Sequence, residues 1–157
     1  MKIHLIAALA GSIALSACVP VPVPGREKPV QVTPDTTSAA GRAINAFRTA
    51  NGLSALGHSD TLQRVAQAHA DDMARTGVLS HKGSGGSTPA SRAKAAGYRY
   101  CSIAENIAEG PRDLATAMKL WEESGPHRAN MVKPELSDFA IAQSGVYWVM
   151  VLGRPGC

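Results

Sequence analysis

The sequence predicts a single α+β domain set behind an export segment and a proline-rich tether. Three observations carry this prediction. Apolar residues recur at helical spacing in separate stretches between residues 43 and 123. The chain closes on two alternating apolar runs joined by Ser144-Gly145, the pattern of a buried antiparallel hairpin. Residues 19–37 alternate Val and Pro and continue with Gly25, Pro29 and Pro34, a composition that supplies neither ladder hydrogen bonds nor a core.

Taken in order, Lys2 is followed by an apolar run from Ile3 to Leu15 and then by Leu15-Ser16-Ala17-Cys18. That is the charged start, apolar segment and small-residue cleavage site of a secretory signal, and the run is too short to remain as a spanning helix. Its ending resembles the lipobox of bacterial lipoproteins, in which the cysteine is acylated and becomes the first residue of the mature protein. The expected organisation is a signal peptide over 1–17, lipidated Cys18 with its tether over 18–37, and a folded domain over 38–157. Stretched as polyproline II at ~3.1 Å per residue, the tether reaches on the order of 60 Å. Residue 19 is Val, not Asp, which by the sorting rule of well-studied Gram-negative bacteria directs the anchor to the outer membrane, facing the periplasm or the cell surface.

Within the domain, Ile44 and Phe47 mark a helix over 43–51 that Gly52 stops. A second helix runs over 59–75, with Leu62, Val65, Ala66, His69 and Met73 on one face, Ser59 or Asp60 as cap and Gly77 as terminator. His69 lies inside that apolar stripe, so it reads as a core histidine with its nitrogens satisfied locally in preference to a ligand. Thr88 starts a short helix that Gly97 ends, residues 98–103 alternate like a strand, and 104–108 continue from it. Leu114, Ala117, Met118 and Trp121 fall on one face of a helix over 113–123. With only 4% aromatic residues, 45% hydrophobic and 18% charged, the core must be mainly aliphatic. The net charge of +4 is scattered along the chain with no basic stripe or aromatic platform, which argues against nucleic-acid binding.

His81, Glu105, Ser124 and His127 sit at the edges of these apolar elements, where a cleft is built. Two imidazoles and a carboxylate are the usual ingredients of a catalytic zinc site, although no His-Glu-x-x-His helix is present. The glycine-rich 82–87 loop lacks the Gly-Lys-Ser/Thr ending of a phosphate cradle. A Ser124–His127–Glu105 triad lacks a Gly-x-Ser-x-Gly elbow and any marked oxyanion hole. Arg128, Asn130 and Asn106 read as side chains that bond loop carbonyls and set geometry. Two cysteines remain once Cys18 is lipidated, and in an exported chain Cys101 and Cys157 either form a bridge or leave Cys157 free on the tail. A bridge closing so long a loop contributes roughly 4 kcal/mol in the entropy description.

Four pieces in this order resemble the bacterial secreted branch of the CAP superfamily (cysteine-rich secretory, antigen 5 and pathogenesis-related proteins). They are Ser80-His81, Ala104-Glu105-Asn106-Ile107-Ala108, Trp121-x-x-Ser124-x-x-His127-Arg128-x-Asn130-Met131, and Tyr147-Trp148 through Gly153. The resemblance spans about residues 40 to 153 and implies a three-layer α-β-α sandwich with a small antiparallel sheet. It makes His81 and His127 the cavity histidines, able to hold a divalent metal such as zinc in some members, and Glu105 the first cavity acid. Animal and plant members place a second acid where this chain has Ser124, and the Gly125-Pro126 order is the reverse of the usual one. The implied activity is that of a lipid-anchored binding module whose cleft takes a small hydrophobic, glycan or protein ligand. The alternative is a metal-dependent hydrolase of peptide or cell-wall material.

Overall fold

The structure, a computed structural model, describes residues 38–157; the signal and tether expected over 1–37 lie outside the described residues. Five α-helices and four strands follow one another: α1 Ala39–Ala50, β1 Gly57–His58, α2 Asp60–Thr76, α3 Pro89–Ala95, β2 Tyr100–Glu109, α4 Leu114–Glu123, α5 Gly125–Met131, β3 Asp138–Ser144 and β4 Tyr147–Pro155.

Local chemistry sets the helix ends. Ser38 Oγ accepts from the Gly41 amide at 2.8 Å, and this cap starts α1 four residues before its apolar period becomes visible. Ser59 caps α2, and Gly77, at φ +68°, closes it by donating to the Met73 carbonyl. Thr88 and Ser91 form a reciprocal capping box at the start of α3. Asp113 accepts from the Thr116 amide at the start of α4. The segment 125–131, for which the sequence shows no helical period, forms the helix α5, with Pro126 in the first turn where a missing N–H costs nothing.

The sheet has the order β1-β3-β4-β2. Its three long strands are antiparallel, and the two-residue β1 adds parallel to β3. The hairpin closes through Gly145-Val146, with Ser144 opposite Tyr147. Alternation along β4 separates two cores. Trp148, Met150 and Leu152 pack with Ile44 of α1, Met118 and Trp121 of α4 and Met131 of α5. Tyr147, Val149 and Val151 pack with Leu62, Val65, Ala66, Ala70 and Met73 of α2 and Ala93 of α3. Helices therefore cover both faces, and the expected three-layer α-β-α sandwich is what the chain forms. Trp121, Phe139, Met150 and Leu152 are fully buried, each stabilising the fold by about 1.5–3 kcal/mol or more.

Two polar anchors tie the layers together. Arg48, fully buried, donates to the carbonyls of Ser54, Met131, Lys133 and Leu136, so one guanidinium joins α1 to the end of α5 and the approach to β3. The Cys101–Cys157 disulfide, with Cα atoms 5.1 Å apart, holds the chain terminus against β2.

The close approach of Tyr98 to β4 leaves no room for a side chain at Gly153 without a shift. A Cβ at Gly153 would lie 2.6 Å from Tyr98 Oη, which itself donates to Asp138 Oδ2 at 2.8 Å. Gly153→Ala is therefore expected to cost about 1–3 kcal/mol in urea unfolding through overpacking; a change within about 0.5 kcal/mol would contradict this contact.

Candidate functional site

The site is built around β2, which pairs only with β4 and so forms an edge of the sheet. Residues opposite one another on antiparallel strands share a face. Glu105 lies opposite Val151 and so faces α2 and α3; Asn106 lies opposite Met150 and so faces α4 and α5. Two adjacent polar residues of one edge strand thus reach both helical layers, and both are buried.

Glu105 is the centre of the first layer. Its side chain is 1% exposed, and both oxygens are committed: Oε1 to His81 Nδ1 at 2.8 Å and Oε2 to the Arg92 guanidinium at 2.7 Å. A carboxylate only accepts, so His81 carries its proton on Nδ1 and keeps Nε2 free of it in the neutral ring. His81 itself is 53% exposed. Arg92, in α3, also donates to the carbonyls of His81 and Ser87 at 3.1 Å each, closing the 81–87 loop, while its buried Nε has no partner.

His69, in α2, lies beneath this pair. Its Nε2 donates to the Ser80 carbonyl at 2.9 Å and is 3.8 Å from Glu105 Oε1. Nδ1 is buried without a partner, so the expectation of a core histidine satisfied at both nitrogens is met at only one. Burial pushes the His69 pKa below its ordinary value, against the opposing pull of Glu105 and with a smaller push from Arg92. Ser80-His81 is consequently held from three directions: His69 on the Ser80 carbonyl, Arg92 on the His81 carbonyl and Glu105 on the His81 ring.

The second layer brings in residues 121–130. Trp121 Nε1 donates to the Ile107 carbonyl at 3.2 Å, and Asn130 Nδ2 donates to the Glu105 carbonyl at 3.3 Å, so the two side chains cover the outward carbonyls of the edge strand. Asn130 also donates to Asn106 Oδ1, and Asn106 Nδ2 donates to the His127 carbonyl at 3.1 Å. His127 is half-buried in α5, and its pKa is lowered mainly by burial, with a smaller lowering from the positive charge His81 carries when protonated. Ser124 is the boundary residue between α4 and α5 and caps neither with its hydroxyl. Arg128 reaches away from the cleft, donating to Asn51 Oδ1 at 2.7 Å and lying 5.0 Å above the Phe47 ring instead of bonding a loop carbonyl.

These contacts decide between chemistries. A triad needs a carboxylate behind the base that serves Ser124, but the acid of this cleft sits behind His81 and is paired with Arg92. Catalytic zinc takes three protein ligands. The free donors here are the Nε2 of His81 and the ring of His127, and among the described residues no cluster of three or more His, Cys, Asp and Glu side chains is arranged to hold a metal ion. The third candidate ligand, Glu105, has both oxygens engaged by His81 and Arg92. Glu105 stands where a carboxylate fixes the orientation of the His81 ring.

An α-β-α sandwich whose edge strand carries a Glu-Asn pair beneath two histidines is the arrangement expected of a CAP domain. The model of the cysteine-rich secretory protein family, CAP, matches residues 42–150, and the chain belongs to that family. It is 29% identical over 121 residues to the uncharacterized protein YkwD of Bacillus subtilis (strain 168), a match covering 73% of this chain and 47% of that protein, so it spans about half the length of that relative. Its fold is similar to that of an extracellular protein containing an SCP domain from Bacillus anthracis (TM-score 0.69, 22% identity, 71% of this chain and 37% of the other). It is likewise similar to an outer surface protein of Borrelia burgdorferi (TM-score 0.67, 20% identity, 73% and 89%). A cysteine-rich secretory protein from Staphylococcus aureus also shares the fold (TM-score 0.63, 15% identity, 72% and 36%).

The His69 environment predicts the sign of a pH dependence. Its folded pKa lies below 6.5, so on acidification the unfolded chain takes up the proton first and stability falls as pH drops below about 6.5, by at most ~1.4 kcal/mol per pH unit. A second loss follows lower down, between 3.8 and about 2, where Asp72, held down by its bonds from Ser84 and Arg75, becomes protonated. Denaturant unfolding at pH 7.5 and 5.0 should show the first loss in the wild type and a smaller one in His69→Gln; equal slopes would remove His69 as its source.

Proposed function

We propose that this protein is a lipid-anchored binding module of the cell envelope, with Cys18 as the anchor and the His81/His127 cleft as the binding surface. The observation that carries the reading is the engagement of both Glu105 oxygens, by His81 and Arg92, which leaves the cleft acid to orient an imidazole and not to act as a free base or third metal ligand. The half-exposed His81 ring keeps one nitrogen for a ligand, and the half-buried His127 would supply the second imidazole. A small hydrophobic, glycan or protein ligand would lie against these groups. A divalent metal such as zinc would be held by His81 and His127 with its remaining positions filled by solvent or ligand, where it would supply a positive charge for recognition. Envelope placement is supported by the export signal read in residues 1–18 and by the extracellular and outer-surface descriptions of the similar structures. Outer-membrane sorting follows from Val19 in the same reading.

Two measurements test this. Growth with a clickable palmitate analogue should label the wild type and leave Cys18→Ser unlabelled and in the soluble fraction; a labelled Cys18→Ser, or an unlabelled wild type, would rule out the anchor. Zn2+ titration of the metal-free chain should show one equivalent, weakened by both His81→Ala and His127→Ala, with no turnover of casein or peptidoglycan. Turnover that is lost in Glu105→Gln would favour an enzyme instead.

A further inference from the structure

We infer that Arg92 is the positioning residue of the cleft: by taking one oxygen of Glu105 together with the His81 and Ser87 carbonyls, it orients residue 105 so that its other oxygen meets His81, where the carboxylate keeps the proton on Nδ1 and leaves Nε2 unprotonated for the ligand. The inference rests on the reading of His81 as a cleft residue and extends it to the chemistry of what binds. A ring locked in this tautomer accepts a hydrogen bond or coordinates a cation, so the cleft takes ligands that present a hydroxyl or N–H donor, or a metal ion, at this point.

The Arg92 guanidinium has only donors, and it donates to Glu105 Oε2 at 2.7 Å and to the carbonyls of His81 and Ser87 at 3.1 Å. Whichever atom faces Arg92 must therefore be an acceptor. The partner atom that faces His81, Oε1 at 2.8 Å, is also an acceptor only because residue 105 is a carboxylate. Arg92 makes no contact that requires it to touch ligand. Its fork joins the loop carrying His81 to the strand carrying Glu105, a geometry that a lysine ammonium does not reproduce.

The test reads the His81 tautomer by long-range 1H–15N correlation on the whole 15N-labelled chain, without ligand, at about pH 8 where imidazoles are neutral. The wild type should show the Nδ1–H form. In Glu105→Gln, Arg92 claims the amide oxygen, the NH2 group turns to His81 Nδ1, and the ring should reverse to Nε2–H. Adding Arg92→Met to Glu105→Gln frees the amide to rotate, and Nδ1–H should return. A wild type in the Nε2–H form, or Glu105→Gln that keeps Nδ1–H, would overturn the assignment. If Glu105→Gln does not fold, Arg92→Lys decides with two readings. Nδ1–H retained with faster exchange of the Gly83 amide, now bonded to Ser87 at 2.9 Å, supports it, and unchanged exchange contradicts it. Because no ligand enters the measurement, failure here is distinct from failure of the binding reading, which the zinc titration decides.

Discussion

The cleft half of this domain depends on one buried carboxylate. Glu105 sits on the edge strand, 1% exposed, between a guanidinium from α3 and an imidazole from the loop after α2. A lone charge so buried would cost several kcal/mol, and removing one partner of such a pair typically costs about 3–5 kcal/mol. Because the same Arg92 also holds the His81 and Ser87 carbonyls, the ion pair and the loop conformation stand or fall together.

The opposite layer solves a different problem. An edge strand exposes unpaired backbone groups, and here Trp121 and Asn130 reach back to bond the Ile107 and Glu105 carbonyls. The stretch 121–130 thereby does two things at once. It seals the edge and, through the Asn106 bond to the His127 carbonyl, fixes the backbone of α5 that carries His127. The chain shares the CAP fold, and a fold alone does not set a ligand, which is chosen by the groups at the site.

Periodicity made α2, α4 and the closing hairpin legible, since each buries a regular apolar face, while Ser59 and Gly77 marked the ends of α2 and Thr88 the start of α3. It did not show α5, where Gly125-Pro126 reads as a break although proline suits a first turn, or β1, whose two residues carry no pattern. His81, Glu105 and His127 were singled out by their places at the edges of apolar elements and by motif order. Arg92 was missed because nothing in sequence distinguishes a buried arginine on a short helix from its exposed neighbours, and the only available signal was its position four residues into a capped helix after the His81 loop. His69 was read correctly as buried, but its open Nδ1 depends on packing that spacing does not encode. The two oxygens of Glu105 were likewise invisible to the sequence, and they are what separates an orienting acid from a free one.

The central claim is that Arg92 and Glu105 act as one buried unit, and a double-mutant cycle tests it most directly. Stability measured for Arg92→Met, Glu105→Gln and the pair should show the double variant less destabilised than the sum of the singles, with a coupling on the order of 2 kcal/mol. Additivity within about 0.5 kcal/mol would mean that the two side chains are neighbours without being partners, and the account of the cleft would fail with it.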